Sequence, residues 1–309
     1  MQIATSLFYD RAASTMASLT GKADALQTQI ASTKRFSAPS QDSVAYQRLA
    51  GLARDTANDK AFAANLGTAA SVLKQADTSL TAITSQLQSA AELTTQALNG
   101  TLNPADRKAI GVQLASIVAT LADIANAKDA RGQALFGGAD GAPAVGPVGA
   151  DGTYALAAKP VSGIPIGDGQ SVQANETAAR IFTVGDKINA DGSIESGTNT
   201  LTMLSAIATA LQSDDRDSAS LSTALTDIAA ASEQVSTVQS SLGARAVRVD
   251  VETARLKDTG IDREDARSAL EDTDIPTAVI ELQKTMTILS ATQASFSKLS
   301  ALSLFDYLR

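Results

Sequence analysis

Four leucines recur every seven residues, Leu66, Leu73, Leu80 and Leu87, and Ala69, Ala76, Ile83 and Ala90 each follow by three. That is the a/d spacing of a heptad seam, which keeps one apolar stripe facing a partner helix. Small residues on one of the two positions let that partner come close. The pattern predicts a helix from near Asp42 to near Asn99-Gly100, a span of roughly 85 Å at ~1.5 Å per residue. A helix of this length has to be covered by other helices.

The chain supplies them. Asn103-Pro104 reads as an N-cap followed by proline at the first helical position, with Asp106 in the first turn. The helix it opens carries Ile110, Leu114, Ile117, Leu121 and Ile124 and is expected to stop near Gly132. Leu201, Leu204, Ile207 and Leu211 predict a short helix. The Asp214–Asp217 run (DDRD) reads as a turn and a new helix start. Leu221, Ile228, Val235, Leu242, Val249 and Leu256 then recur every seven. A last helix carries Ile275, Leu282, Leu289 and Phe296 at the same spacing, with Val279 and Met286 in its seam. Pro276 falls near its start, where proline is tolerated.

Between these helices the composition changes. Residues 137–200 hold 12 of the 20 glycines and 4 of the 7 prolines, which excludes long helices there. Residues 153–156 and 170–174 read as strands, separated by the turns GADG (138–141 and 149–152), GDG (167–169) and NADG (189–192). The fold class is mainly α: a long antiparallel helical bundle or coiled coil formed by both chain ends, with a small β-rich insert in the middle. Three parts are expected. They are terminal helices (1–42 with 266–309), a long-helix core (43–136 with 201–265) and an outward-facing insert (137–200).

Composition removes most chemistry. The chain has no histidine and no cysteine, so triads, Cys–His pairs, thiolate or imidazole metal sites and disulfides are impossible. Apolar residues make up 44% but aromatics only 4%, which suits thin seams between helices. A net charge of −8 argues against nucleic acid and anionic membranes as partners. No run reaches the ~18 apolar residues of a membrane span. The start, MQIATSLFYDRAAS, lacks the basic-then-apolar pattern of a cleavable signal, so a working place outside the cell implies a route that reads none.

The Asp/Gly turns lack calcium-loop spacing and read as plain turns. Asp214, Asp215 and Asp217 read as a solvated helix start. No phosphate or dinucleotide loop is present. No catalytic, cofactor or metal residues are expected. Asn99-Gly100-Thr101 and Asn175-Glu176-Thr177 fit the glycan acceptor pattern, which arises often by chance.

The two ends are the remaining puzzle. The N-terminal stretch is amphipathic through Leu19, Ala23, Leu26 and Ile30. Residues 1–40 carry a net +2 and residues 270–309 a net −2. The simplest arrangement pairs the first helix with the last. The chain ends LSALSLFDYLR, an apolar cluster that would fray unless buried. A lone pair of helices leaves two sides wet, which marks an association surface.

The stretch LQTQIASTKRFSAPSQDSVAYQRLAGL (26–52) resembles the beginning of the flagellin family, and LGARAVRVDVETARLKD (242–258) with the terminal helix resembles its other end. ALNGTLNPADRKAIG (97–111), the segment 161–187 and LSLFDYL (302–308) resemble the family's hook–filament junction branch. The resemblance implies a non-enzymatic, extracellular flagellar component that leaves through the flagellar type III apparatus. Its partners would be copies of itself, flagellin, hook-associated protein 1 on the hook side and an export chaperone. The ends would be disordered in the monomer and paired on assembly. Amphipathicity and the resemblance together place the assembly interface on Leu19, Leu26, Ile30, Leu282, Leu289, Phe296, Leu304 and Phe305. The same fold serves flagellin of the filament itself. A coiled-coil cell-surface binder that uses its insert is an alternative of another class, and an enzyme is a remote one.

Overall fold

The structure, a computed structural model, describes residues 2–307 other than 130, 140, 151, 186, 189–193, 196 and 214–217. At 2–6, 8, 187–188, 194–195 and 299–307 it describes the backbone only. The expected DDRD turn, the three aspartates within it and the NADG turn therefore lie outside the described residues.

Among the described residues there are seven helices: α1 (Gln2–Ser32), α2 (Ser43–Ala97), α3 (Pro104–Ala125), α4 (Ala178–Phe182), α5 (Thr200–Gln212), α6 (Ser218–Glu271) and α7 (Ile275–Tyr307). α2 and α6 have 55 and 54 residues. Two compact units result, 59–257 and 1–58 with 258–309, and both long helices contribute to each.

The helix starts follow the capping rules. Asp42 Oδ1 accepts from the backbone N–H groups of Val44 (3.1 Å) and Ala45 (2.9 Å) and opens α2. Asn103 accepts from Asp106 N at 2.8 Å and opens α3 with Pro104 behind it. Asn199 accepts from Leu201 and Thr202 and opens α5. Each bond satisfies an amide with no partner inside its helix.

In the unit 59–257 the heptad seams are the core. Leu66, Leu73, Leu80 and Leu87 and the small set Ala69, Ala76, Ile83 and Ala90 are all buried. So are Leu221, Ile228, Val235, Leu242 and Val249 on α6, with Leu256 half-buried. Gln239 of α6 reaches Asp77 (3.4 Å) and Thr81 (3.2 Å) of α2, so the two helices run side by side here.

α3 packs on α5. Ile110, Leu114, Ile117 and Leu121 are buried and Ile124 is half-buried. By length and composition alone α3 is apolar enough to cross a membrane. Its apolar face is instead spent on the core, which is how a buried helix passes the same test. A Cβ added at Gly111 would lie 2.8 Å from Ala208 O on α5, so glycine sets how closely these two helices approach.

α3 ends at Ala125, not near Gly132 as its pattern predicts. Asn126 caps the helix with its backbone N–H, and its side chain turns to the insert, donating to Val145 O and accepting from Val145 N, each at 3.0 Å. An isolated antiparallel bridge then pairs Lys128 with Ala134. Asp129 accepts from Arg131 N (2.8 Å) and Gln133 N (3.0 Å), and Gly132 takes φ 78°. Burial alone would raise the Asp129 pKa. The amide of Gln133 and the Arg131 guanidinium overcome that and hold it below the usual carboxylate range.

The insert's strands are short and antiparallel. They are β1 (Val145–Val148) with β2 (Tyr154–Leu156), β3 (Ile164–Gly167) with β4 (Gln170–Val172), β5 (Thr183–Val184) with β8 (Thr198–Asn199), and β6 (Lys187–Ile188) with β7 (Ile194–Glu195). β2 and β4 fall where alternation predicts them. Phe136, Val145, Ile166, Ile181 and Phe182 join the same buried cluster as the helix seams. A two-stranded hairpin is marginal alone in water, and the β1–β2 and β3–β4 hairpins are stabilised by that shared core.

Gly111→Ala is expected to destabilise this unit by about 1–3 kcal/mol, the usual cost of overpacking a close helix crossing. Denaturant unfolding followed by circular dichroism measures it. An unchanged midpoint would mean that α5 yields without cost.

Candidate functional site

In the unit 1–58 with 258–309, α1 packs against α7, as the complementary ends predict. A short clamp joins them. Thr273 N donates to Thr33 O (3.0 Å) and Arg35 N donates to Glu271 O (2.7 Å). These two bonds tie the exit of α1 to the segment between α6 and α7. Asp274 accepts from Thr277 N (3.4 Å) and Thr277 Oγ1 (2.6 Å), which caps α7.

The clamp stores strain. Thr33 takes φ 58°, the one positive φ at a non-glycine among the described residues. This is the left-handed position after a helix, normally filled by glycine. A β-branched side chain there costs of order 1 kcal/mol or more.

Charge supports the pairing. Lys22 meets Glu281 at 3.5 Å, with both side chains about half exposed. Such a surface pair contributes under ~1 kcal/mol. Glu271 is better placed, bonded by Lys34 and by Arg267 Nη1 at 2.8 Å. The Lys34 bond chiefly, with help from Arg267 and against partial burial, holds the Glu271 carboxyl below its ordinary range. Its contribution is therefore fully present above the ordinary carboxylate pKa and is lost as pH falls through the lowered folded value.

The expected interface residues are placed as follows. Leu26 is buried, while Leu19, Ile30, Leu282, Leu289 and Phe296 are half-buried in the same helix pair. Phe296 meets Tyr9 edge to face, centroids 5.4 Å apart. The backbone of Leu304 and Phe305 lies within α7, but their side chains lie outside the described residues.

Met286, expected in the α7 seam, is exposed. Among the described side chains of α7 the most buried are Ala278 and Thr285, seven residues apart, and on α1 Ala23 is buried as well. Small residues centre the contact because they let two backbones approach. A search for large apolar residues misses Ala278 and Thr285; the signal was their own seven-residue spacing. The large residues flank the contact, and a second apolar set is left outside: Ile280 (66% exposed), Met286 (52%) and Ile288 (44%). Leu7, Val44, Tyr46 and Ile261 in the same unit are exposed as well.

No group of three or more acidic side chains that could hold a metal occurs among the described residues. The two glycan triplets differ: Asn99 is exposed, whereas Asn175 is buried and donates to Leu135 O at 3.3 Å.

Known proteins share this arrangement. Residues 3–140 match the bacterial flagellin N-terminal helical region and residues 225–308 the bacterial flagellin C-terminal helical region. Together these stretches take in both ends and most of the chain, and the chain belongs to the flagellin family, whose members are structural proteins of the flagellum.

Within it, the chain is similar to two curated proteins called flagellar hook-associated protein 3. The one from Escherichia coli (strain K12) is 25% identical over 302 residues, covering 90% of each chain. The one from Salmonella typhimurium (strain LT2) is 28% identical over 138 residues, 45% of this chain. That second match spans 44% of the Salmonella protein. A solved structure named for a flagellar hook-associated protein of Vibrio parahaemolyticus aligns with a TM-score of 0.65 at 20% identity, covering 75% of this chain and all of that one. FlgL of Xanthomonas campestris aligns at 0.59 and 16% identity, covering 70% and 99%. At these identities the structural likeness speaks to the fold.

Thr33→Gly is expected to raise the stability of the α1–α7 pair by about 1 kcal/mol by relieving the strained φ. Hydrogen exchange of α1 and α7 amides reads this directly, and slower exchange is the expected result. Glu271→Gln should weaken the same amides at neutral pH by about 1 kcal/mol. The gap from wild type should close as pH is lowered through the carboxylate range. A gap that persists in acid would mean that the Glu271 charge is not what holds the clamp.

Proposed function

We propose that the chain is the junction subunit between hook and filament of a bacterial flagellum. The observation that carries this is the 302-residue match to the Escherichia coli hook-associated protein 3. It runs through the segment between the two flagellin regions as well as through the ends, where flagellins in general agree.

In this reading the protein is a structural part outside the cell, without enzymatic activity. It is exported unfolded by the flagellar type III apparatus with the help of an export chaperone. Its neighbours are copies of itself, flagellin on the filament side and hook-associated protein 1 on the hook side. The terminal segments order only on assembly, a cost then offset by the apolar area they bury.

The exposed apolar set of the terminal unit supports this. Ile280, Met286 and Ile288 lie on the helix that already packs against α1. Their exposure costs nothing further if neighbouring copies cover them; Ile280 and Ile288, two turns apart, share one side of α7 and Met286 lies on another, so more than one neighbour would be needed to cover all three. Leu19, Leu26, Ile30, Leu282, Leu289, Phe296, Leu304 and Phe305 would then act in two ways. They hold the helix pair and present it to the next subunit.

Immunogold electron microscopy with an antibody to residues 137–200 tests the placement. A single band at the hook–filament joint is expected; label along the whole filament would make this chain a flagellin. Removing residues 270–309 should abolish incorporation while the unit 59–257 keeps its helicity. A double variant on one side of α7, Ile280→Glu with Ile288→Glu, should also block incorporation, with monomer unfolding unchanged. Normal assembly of that variant would exclude this face as the contact.

A further inference from the structure

A cavity of about 520 Å³ opens in the unit 59–257, between the insert and α6. Three arginines line it, Arg180, Arg245 and Arg248, against one carboxylate, Glu176, in a chain whose net charge is −8. Arginines in an acidic chain ordinarily disperse among carboxylates. Here three converge on one hollow with a single acid between them.

The three differ in what they do. Arg245 is fixed by the fold. Its Nη1 donates to Gln173 O at 3.0 Å and its Nη2 to Glu176 Oε1 at 2.5 Å. Glu176 is buried and also accepts from Arg180 Nη1 at 3.4 Å. One carboxylate thus braces two guanidinium groups and leaves an excess of positive charge. Arg248, three residues along α6 from Arg245, lines the same cavity and makes no hydrogen bond or ion pair with a described residue. Its side chain is exposed. The hydroxyl residues Ser171 and Thr177 complete the polar wall, and among the described residues no aromatic ring lines the cavity.

The geometry points to an oxyanion-binding pocket: we infer that it takes a carboxylate or phosphate group carried by a small molecule. Arg248 supplies the free fork and Arg180 and Arg245 the braced one. Guanidinium groups are permanently charged and match planar or tetrahedral oxyanions with two parallel bonds. The volume lies in the range of small-ligand sites. The absence of a ring to stack on disfavours nucleobases and sugars as the part that is recognised. This pocket lies outside the terminal unit and does not depend on the assembly reading.

Thermal unfolding and titration calorimetry of the full chain test it, with citrate as the carboxylate probe and inorganic phosphate as the other. Ionic strength is held constant with chloride. A saturable rise in unfolding temperature with a measurable heat of binding is expected for at least one probe. The stronger of the two identifies the oxyanion class. General stabilisation by such salts acts by exclusion from the surface and does not saturate.

Arg248→Gln should weaken binding about tenfold or more, since a charge-assisted bond contributes ~1.5–3 kcal/mol. It should leave the unliganded unfolding temperature unchanged, because Arg248 holds nothing in the fold. Arg248→Lys should fall between the two, keeping charge and losing the fork. The proposal is overturned if neither probe binds saturably, or if Arg248→Gln binds as tightly as the wild type.

Discussion

Closure of the small-residue seam on α2 is the constraint on which the rest depends. Leu66 to Ala90 offer one stripe, half of it leucine and half mostly alanine, and every member is buried. Burying a leucine contributes roughly 1.5–3 kcal/mol, while alanine contributes little area and sets a short distance. The seam is therefore both the main source of stability and the ruler for the unit 59–257. Gly111 repeats the device between α3 and α5, where even a methyl group would strike a backbone oxygen.

The insert depends on that core more than on its own hydrogen bonds. Its strands have two to four residues each. Phe136, just before the insert, and Phe182, within it, the largest fully buried side chains among the described residues, tie it to the helix seam through the shared buried cluster. Asn126, Asn175 and Gln234 then satisfy carbonyls at Val145, Leu135 and Arg180. Buried backbone oxygens in irregular chain need such partners, which is why these amides sit there.

The terminal unit follows a different economy. Its contact is built on Ala23, Ala278 and Thr285 with a strained clamp at Thr33, and several large apolar residues stay in water. A helix pair of this kind has little area to bury by itself. It suits a part whose stability is completed by neighbours, as the proposed assembly role requires.

Periodicity and capping chemistry by themselves determined the long helices, the start of one near Asp42 and the cap of the next at Asn103, the middle without long helices and the pairing of first helix with last. Heptad spacing, capping chemistry and charge balance are local or additive, so they can be read along a chain. The absence of histidine and cysteine likewise decided which chemistries are closed. The tertiary structure alone decided the rest. It stopped α3 at Ala125, because Asn126 finds its partner nineteen residues away in the insert. It turned Met286 outward and put Thr285 inward, because the rotation of α7 is set by what lies across from it. It brought Arg245 of α6 to Glu176, 69 residues away in sequence, and so set Arg180 and Arg248 on the same cavity, a meeting that no spacing rule encodes. Each depends on a long-range contact, and such contacts exist only once the chain has folded.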